Sequence, residues 1–384
     1  MNFSFVFAET YNIVLLSVAV VTLIYLFVYY GVTFMRVSRK QRQQESSSKY
    51  HNLQPEVSIV VVASSQANLL REHLVQLLEQ TYPTFEVVVV DYQSHDDTPF
   101  VLKVLSAQYP NLKCVRMSED INLFQSRLYP LSIGIRSAKY DTIVLVEPAC
   151  VPSDKNWLTA LMGGYRSDDD KIVLGYTHLN VRKGLLGCLE KYDNLVYHCS
   201  FLSAASLNVP YTGCGWNLSY RRSFFFDRGA FIQFYDEADE ADDLFVNHNA
   251  NKHNTNYVIT NKSMMQVSAP ETFKEWHLLR RHRIATRKLY SSWRSTYISL
   301  TPLMTILFYA ACVMMFVNNL TIPWVIPVAL LLIKFLWQIV CVAQVSKSFS
   351  LGNIHWAAPL LELYFIIANI ILPLTPIKTK RRFV

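Results

Sequence analysis

The apolar positions of this chain are crowded at its two ends and patterned in between. Tyr11 to Phe34 is almost unbroken apolar sequence, long enough to cross a hydrocarbon core of roughly 30 Å, which takes about 20 helical residues. Basic residues follow this run, at Arg36, Arg39, Lys40 and Arg42. A cleaved signal peptide has its basic residues first and a small-residue cleavage site after. The run is therefore expected to remain as a membrane anchor over 1–36, with its N-terminus outside and the following chain in the cytoplasm. A basic, Ser-rich linker is expected over 37–54. After Leu289 the chain becomes apolar again, and a C-terminal membrane region is expected over 291–384. Spans are predicted near 297–317 and 322–345. A third apolar run, near 356–374, contains Glu362 and ends at Pro373 and Pro376. A full crossing there would leave the basic tail Lys378 to Arg382 outside, against the positive-inside rule. That segment is expected to be interfacial or re-entrant.

Between the ends the pattern is that of an α/β domain. Val57-Ser-Ile-Val-Val-Val-Ala63 is a β-branched run suited to a strand buried on both faces. Leu70, Leu74, Leu77 and Leu78 fall on one face of a helix over residues 66–80. Phe85-Glu-Val-Val-Val-Val-Asp91 is a second buried strand, completing a βαβ unit. A strand at Lys113 to Met117, a helix near 124–137 and a strand at Thr142 to Val146 continue the alternation. The expected fold class is α/β, a Rossmann-like, mixed but mostly parallel sheet domain over 55–290 with flanking transmembrane helices.

Composition sharpens this picture. Hydrophobic residues make up 51% of the chain and mean hydropathy is +0.17, high for a soluble protein, and the excess sits in the terminal runs. Net charge is +7, but the basic residues cluster beside the apolar runs, with a further group from Arg280 to Lys288. This points to membrane lipids as partners and away from nucleic acid. The seven cysteines form no Cys-x-x-Cys pair, and Cys150, Cys188, Cys199 and Cys214 lack metal-ligand spacing. They read as reduced thiols of a cytosol-facing domain. A transporter is disfavoured because the spans are few and carry no symmetric repeat. Lys334 is a lone charge within an apolar run, free to snorkel or to meet Glu362.

Open α/β sheets bind ligands beyond the carboxyl ends of their strands. Asp91 stands at such an end, followed by the polar loop Tyr92-Gln-Ser-His-Asp-Asp-Thr98, although Asp96 and Asp97 suit a helix cap equally well. Glu147 is the second strand-end acid, in Leu145-Val-Glu-Pro-Ala-Cys-Val-Pro152. In Pro210-Tyr-Thr-Gly-Cys-Gly-Trp-Asn-Leu-Ser-Tyr220, Gly213 and Gly215 allow close backbone approach to a ligand and Trp216 offers an apolar face. A tight turn with a core Trp is the alternative. The acidic run Asp239-Glu-Ala-Asp-Asp243 would ordinarily be a solvated face, but Leu244-Phe-Val246 ties it to a buried element. Arg280-Arg-His-Arg283 suits either a ligand phosphate or a membrane flank.

Together with Gln80-Thr-Tyr-Pro83 and Ala138-Lys-Tyr-Asp141, these blocks over 55–290 resemble a family 2 glycosyltransferase with the GT-A fold, of the membrane-anchored bacterial type. The resemblance implies a nucleoside diphosphate sugar as donor, a glycan or lipid-linked hydroxyl acceptor, and inversion at the anomeric carbon. It assigns Asp91, Ser94, Asp96, Arg127 and Glu147 to the nucleotide sugar, and Gly213, Gly215, Trp216 and Asn217 to the acceptor. Asp242 becomes the general base, with Asp243 next in line. Arg281 and His282 fit the last two places of a Gln-x-x-Arg-Trp motif, and Leu278 stands where Gln would be. Arg281 would neutralise the departing diphosphate. Two departures matter. The family's D-x-D reads Glu147-Pro148-Ala149, and the acid that commonly precedes the base is Ala241. Glu147 is thus the lone candidate ligand for Mg²⁺ or Mn²⁺, and one carboxylate holds such an ion poorly. A non-catalytic binding or scaffold homologue is the competing expectation. The implied setting is polysaccharide biosynthesis at the inner cell membrane, by a multi-pass protein whose catalytic domain faces the cytoplasm. Three membrane segments are too few to line a pore, so transfer is expected to be non-processive.

Overall fold

A computed structural model describes residues 3–47, 54–117, 127–232, 242–287, 289–317 and 323–372. The basic tail Lys378 to Arg382, most of the Ser-rich stretch at 48–53, Ala241 and the residues 318–321 lie outside them. The chain divides into two units, one of Met1–Arg39 with Ser291–Thr375 and one of Lys40–Tyr290 with Pro376–Val384.

The first helix, α1 (Phe3–Tyr30), passes through a π-helical segment (Gly31–Met35) into α2 (Arg36–Ser46). The expected linker is thus helical over its first ten residues, 37–46. Two of its polar side chains, Gln44 and Glu45, bond to backbone groups far along the chain. Gln44 donates to the Tyr257 carbonyl at 3.2 Å and accepts from the Ile259 amide at 2.9 Å, and Glu45 accepts from the Asn261 amide. Polar composition suggested a loop, but these amide and carboxylate groups satisfy backbone groups elsewhere in the same unit.

The α/β unit begins with β1 (Val57–Ala63), α3 (Ala67–Leu78), β2 (Phe85–Tyr92), α4 (Thr98–Gln108), β3 (Leu112–Met117), α5 (Leu128–Ser137) and β4 (Thr142–Val146). It continues through β5 (Cys150–Pro152), α6 (Trp157–Met162), β6 (Ile172–Leu174), β7 (Thr177–Asn180), α7 (Leu185–Ser206), β8 (Leu218–Arg221), α8 (Arg222–Asp227) and α9 (Asp242–Asn249). Then come β9 (Thr255–Tyr257), β10 (Met265–Ser268) and α10 (Phe273–Arg287). Among the described residues, a seven-stranded sheet has the order β3-β2-β1-β4-β8-β6-β9, and a small sheet has the order β5-β10-β7. In the large sheet β8 alone runs against its neighbours, so the sheet is mixed but mostly parallel. Every residue of β1 is buried, as expected for a strand covered on both faces. Helix α5 lies directly on this layer because Gly134 has no side chain. A Cβ there would stand 2.6 Å from Val60 Cγ1 and 2.9 Å from Val90 Cγ2.

Register sets up the site. Ala63 of β1 pairs with Asp91 of β2, and Val61 pairs with Val146 of β4. Asp91 and Glu147 therefore emerge at the same edge of the sheet, on strands that flank β1.

The other unit adds α11 (Ser292–Val317), α12 (Val325–Ser348) and α13 (Ala358–Ile371) to α1. Among the described residues three helices are long and apolar enough to cross a membrane, within Thr10–Ser46, Ser299–Val317 and Val325–Ser348. Helix α13 has 14 residues, or about 21 Å at 1.5 Å per residue. It runs antiparallel along α12: Gln338 donates to the Ala358 carbonyl at 3.3 Å, and one turn back Lys334 bonds to Glu362. Lys334 is 1% exposed and also donates to the Tyr309 hydroxyl at 2.8 Å and to Gln338 at 3.0 Å. Glu362 accepts from Tyr309 at 3.0 Å and from Tyr30. One ion pair with its hydroxyl partners thus joins α1, α11, α12 and α13. Replacing one member leaves a buried charge uncompensated. Glu362→Gln is expected to cost about 3 kcal/mol, read as a lower unfolding temperature of the detergent-purified chain. Lys334→Met combined with Glu362→Leu should recover most of the loss. If Glu362→Gln unfolds at the same temperature as the parent protein, the ion pair is not what holds α13.

Candidate active site

The loops after β1 and β2 form the first half of the site. Asp91 is 3% exposed. Its Oδ2 lies 4.0 Å from Arg116 Nε, and its buried Oδ1 has no hydrogen-bond partner among the described residues. A buried carboxyl oxygen left without a donor at a strand end is an acceptor available to a ligand. Ser94 and Asp96, expected beside it at the nucleotide, are engaged inside the loop. Ser94 Oγ accepts from the Ser65 amide at 2.9 Å, and Asp96 accepts from the amides of Ala67 at 2.9 Å and Thr98 at 3.0 Å. Burial alone would raise the Asp96 carboxyl, but the bonds from Thr98 and Ala67 hold it below its ordinary value. Asp96 thus ties together the starts of α3 and α4, the capping alternative that the sequence left open. The same two loops hold Ser65 at φ 53° and Gln93 at φ 52°, left-handed conformations that cost energy for residues other than glycine.

The second half is a cavity of about 60 Å³. Arg127, Glu147, Gly213, Gly215, Trp216 and Asp243 all line it, so six of the expected site residues come together. Arg127 and Glu147 form an ion pair, and neither is exposed by more than a quarter. Asn217, expected at the acceptor, does not reach the cavity. It is 0% exposed. Its Nδ2 donates to the carbonyls of Tyr176 and Ser263, both at 2.9 Å, and its Oδ1 accepts from Trp157 Nε1 at 3.3 Å. It is a packing residue that closes the turn behind the glycines.

Helix α9 carries the acids. Leu244, Phe245, Val246 and Asn247 are all buried, with Phe245 among the rings of Tyr220, Phe225 and Phe231. This anchorage brings Asp243 to the cavity, where it accepts a hydrogen bond from Tyr290. Burial, with the Asp243 charge adding, pushes the Tyr290 hydroxyl well above its ordinary value, so it remains a donor. Asp242 opens the helix.

Helix α10 contributes Leu279, Arg283 and Thr286 to the cavity, spaced as one helical face. Arg281, expected at the diphosphate, is not among the lining residues. It lies two positions from Arg283, about 200° around the helix. Asp193 on α7 holds Arg280 at 3.3 Å and Arg283 at 3.8 Å. Arg283 lies 4.4 Å from the ring of Tyr197 and 5.5 Å from that of Trp216. Tyr197 in turn donates to the Gly213 carbonyl at 3.0 Å.

The donor set fits a divalent cation poorly. Glu147 is bonded to a guanidinium, Pro148 and Ala149 offer no side-chain ligand, and no group of three His, Cys, Asp or Glu side chains suited to a metal occurs among the described residues.

Residues 14–371 match the family model for Glycosyl transferase family 21. The chain belongs to that family. A beta-monoglucosyldiacylglycerol synthase from Trichormus variabilis (strain ATCC 29413 / PCC 7937) is 30% identical over 117 residues, 29% of this chain but only 24% of that protein's length. A mannosyltransferase from Pyrobaculum calidifontis, solved in complex with GDP-Man and Mn²⁺, has a TM-score of 0.58 at 16% identity, covering 94% of this chain and 99% of that one. At that identity the likeness speaks for the fold, a GT-A-like glycosyltransferase domain. The resemblance drawn from the motifs was to family 2, and the family matched is family 21.

In this family 21 glycosyltransferase, the cavity residues that sequence reasoning did not assign to the site include Tyr197, Thr286 and, within the basic run it had noted, Arg283, with Asp193 and Tyr290 behind them. The period of α10 is a usable signal for Arg283 and Thr286 once Leu279 is placed. Nothing local marks Asp193 or Tyr290, which act through distant partners.

Two outcomes follow. Asp91→Ala should abolish binding of UDP or GDP in isothermal titration while the unfolding temperature holds, and unchanged affinity would remove Asp91 from the nucleotide site. Glu190 on α7 is 2% exposed. Burial pushes its carboxyl up to about 7, against the pull of Arg182 and with Asp193 adding. Between its ordinary value and 7 the folded state keeps a proton that the unfolded state has lost, so stability falls as pH rises through that window and then levels off. Glu190→Gln should flatten this slope in unfolding temperatures measured from about pH 5 to about pH 8, and an unaltered slope would refute the assignment.

Proposed function

We propose that this family 21 glycosyltransferase is a membrane-bound, inverting enzyme. It would move a sugar from a nucleoside diphosphate to the hydroxyl of a lipid or lipid-linked glycan acceptor at the cytoplasmic face of the cell membrane. The observation that carries the reading is the single cavity shared by Asp243, Arg127, Glu147, Arg283 and Trp216. Asp91 would accept hydrogen bonds from the base or ribose through its buried oxygen. Arg127 and Arg283 would offset charge on the departing diphosphate. Trp216 offers a face on which a sugar ring can stack.

Asp243 takes the role of general base because it lines the cavity, and Asp242, the better match to the family motif, stays the alternative. Tyr290 orients the carboxylate by donating to one of its oxygens. Asp243 would remove the acceptor proton as the hydroxyl oxygen attacks the anomeric carbon and the bond to the diphosphate breaks on the opposite side. A lipid hydroxyl is favoured as acceptor by the apolar helices that bracket the domain and by the match to a glucosyldiacylglycerol synthase. Arg36, Arg39 and Lys40 after α1 support the cytoplasmic orientation.

The test uses membrane vesicles of defined sidedness, supplied with UDP- and GDP-sugars and with diacylglycerol. Transfer is expected only where the cytoplasmic face is accessible to the donor. Asp243→Asn should lower turnover at least about a hundredfold with donor affinity unchanged, and Asp242→Asn should have a smaller effect. If Asp242→Asn is the damaging change, the base is one residue earlier. Absence of transfer and of donor hydrolysis by the parent protein across a wide panel of donors would favour a non-catalytic binding role.

A further inference from the structure

We infer that guanidinium groups, and not a divalent cation, supply the positive charge that receives the donor diphosphate, with Arg127 standing where a metal would be held. This rests on the donor-binding reading above and deepens it.

The argument begins at the carboxyl end of β4. Glu147 is the one acid that the segment Glu147-Pro148-Ala149 supplies there, and its carboxylate is bonded to Arg127. A cation at Glu147 would have to displace a guanidinium whose charge is fixed at any working pH. It would also lack a second carboxylate from that segment to complete a hard-oxygen shell. The guanidinium itself suits the task. Its planar fork of five N–H donors can bridge a carboxylate on one side and phosphate oxygens on the other. Glu147 then acts as a positioning residue that fixes the orientation of Arg127. Arg283 lines the same cavity, where Asp193 and the rings of Tyr197 and Trp216 hold it in place. The two arginines come from different parts of the fold, α10 and the chain just before α5, yet both are braced by a carboxylate and both line one small cavity. Bracing of this kind lowers the entropy cost of clamping a phosphate.

The test measures nucleotide binding rather than turnover. The detergent-purified full chain is titrated calorimetrically with UDP and with GDP, once in EDTA and once in Mn²⁺. The free-Mn²⁺ signal is followed in parallel by electron paramagnetic resonance. At least one nucleotide is expected to bind in EDTA with an affinity within about threefold of that in Mn²⁺, and the nucleotide should draw no more Mn²⁺ from solution with protein present than without it. Arg127→Lys keeps the charge but loses the fork, and should weaken binding at least about tenfold. Glu147→Gln should retain binding in EDTA, because the phosphate contact belongs to Arg127. The inference is overturned if binding requires Mn²⁺ and Glu147→Gln abolishes it, an outcome that leaves the donor reading standing. If neither nucleotide binds under any of these conditions, the donor reading falls and takes this inference with it.

Discussion

Parallel register between β2, β1 and β4 is the constraint from which the site grows. A parallel pair one residue out of step would send every side chain to the opposite face of its strand. Here Ala63 stands opposite Asp91 and Val61 opposite Val146, so the chain leaves two neighbours of β1 at one edge with an acid at each exit. The layer can be this regular because both of its faces are covered, and on one face Gly134 lets α5 descend to the valines. Loss of that contact would loosen the support under Arg127, which immediately precedes the helix.

At three places the protein pairs the charge that it removes from water. Arg127 with Glu147, Arg280 and Arg283 with Asp193, and Lys334 with Glu362 follow one rule in different settings. An ion pair held away from solvent is strongly oriented, and removing either partner costs more than the pair itself contributes. In the apolar helices the result is a fixed arrangement of four segments. In the cavity the result is an arginine whose direction is set before any ligand arrives. The same geometry explains why acidic residues near the cavity differ in character. Asp193 is spent on arginines, whereas Asp243 receives a tyrosine hydroxyl while still facing the cavity.

Much of this was legible in the amino-acid order. Unbroken β-branched runs named β1 and β2, and apolar length named α1, α11 and α12, because a strand covered on both faces and a helix long and apolar enough to cross a membrane are both legible in residue order. Asp91, Glu147, Gly213, Gly215 and Trp216 could be singled out because strand ends and glycine-rich turns are where backbone comes close to ligands. Other features depended on contacts that no local pattern encodes. The polar stretch after Arg36 read as a linker and proved helical, with Gln44 finding two backbone partners more than two hundred residues away. Asn217 sits in a glycine-rich turn and looks like a ligand contact, yet its amide is consumed by Tyr176, Ser263 and Trp157. Arg281 and Arg283 are equivalent as letters, and only the rotation of α10 against its neighbours chooses the one that meets the cavity. The sequence by itself determined β1 to β4, α3, α5 and the long apolar helices, because their burial is written in the spacing of their own side chains. The tertiary structure decided which charges face the cavity and which are spent in pairs, because that choice depends on groups that meet only after the chain has folded.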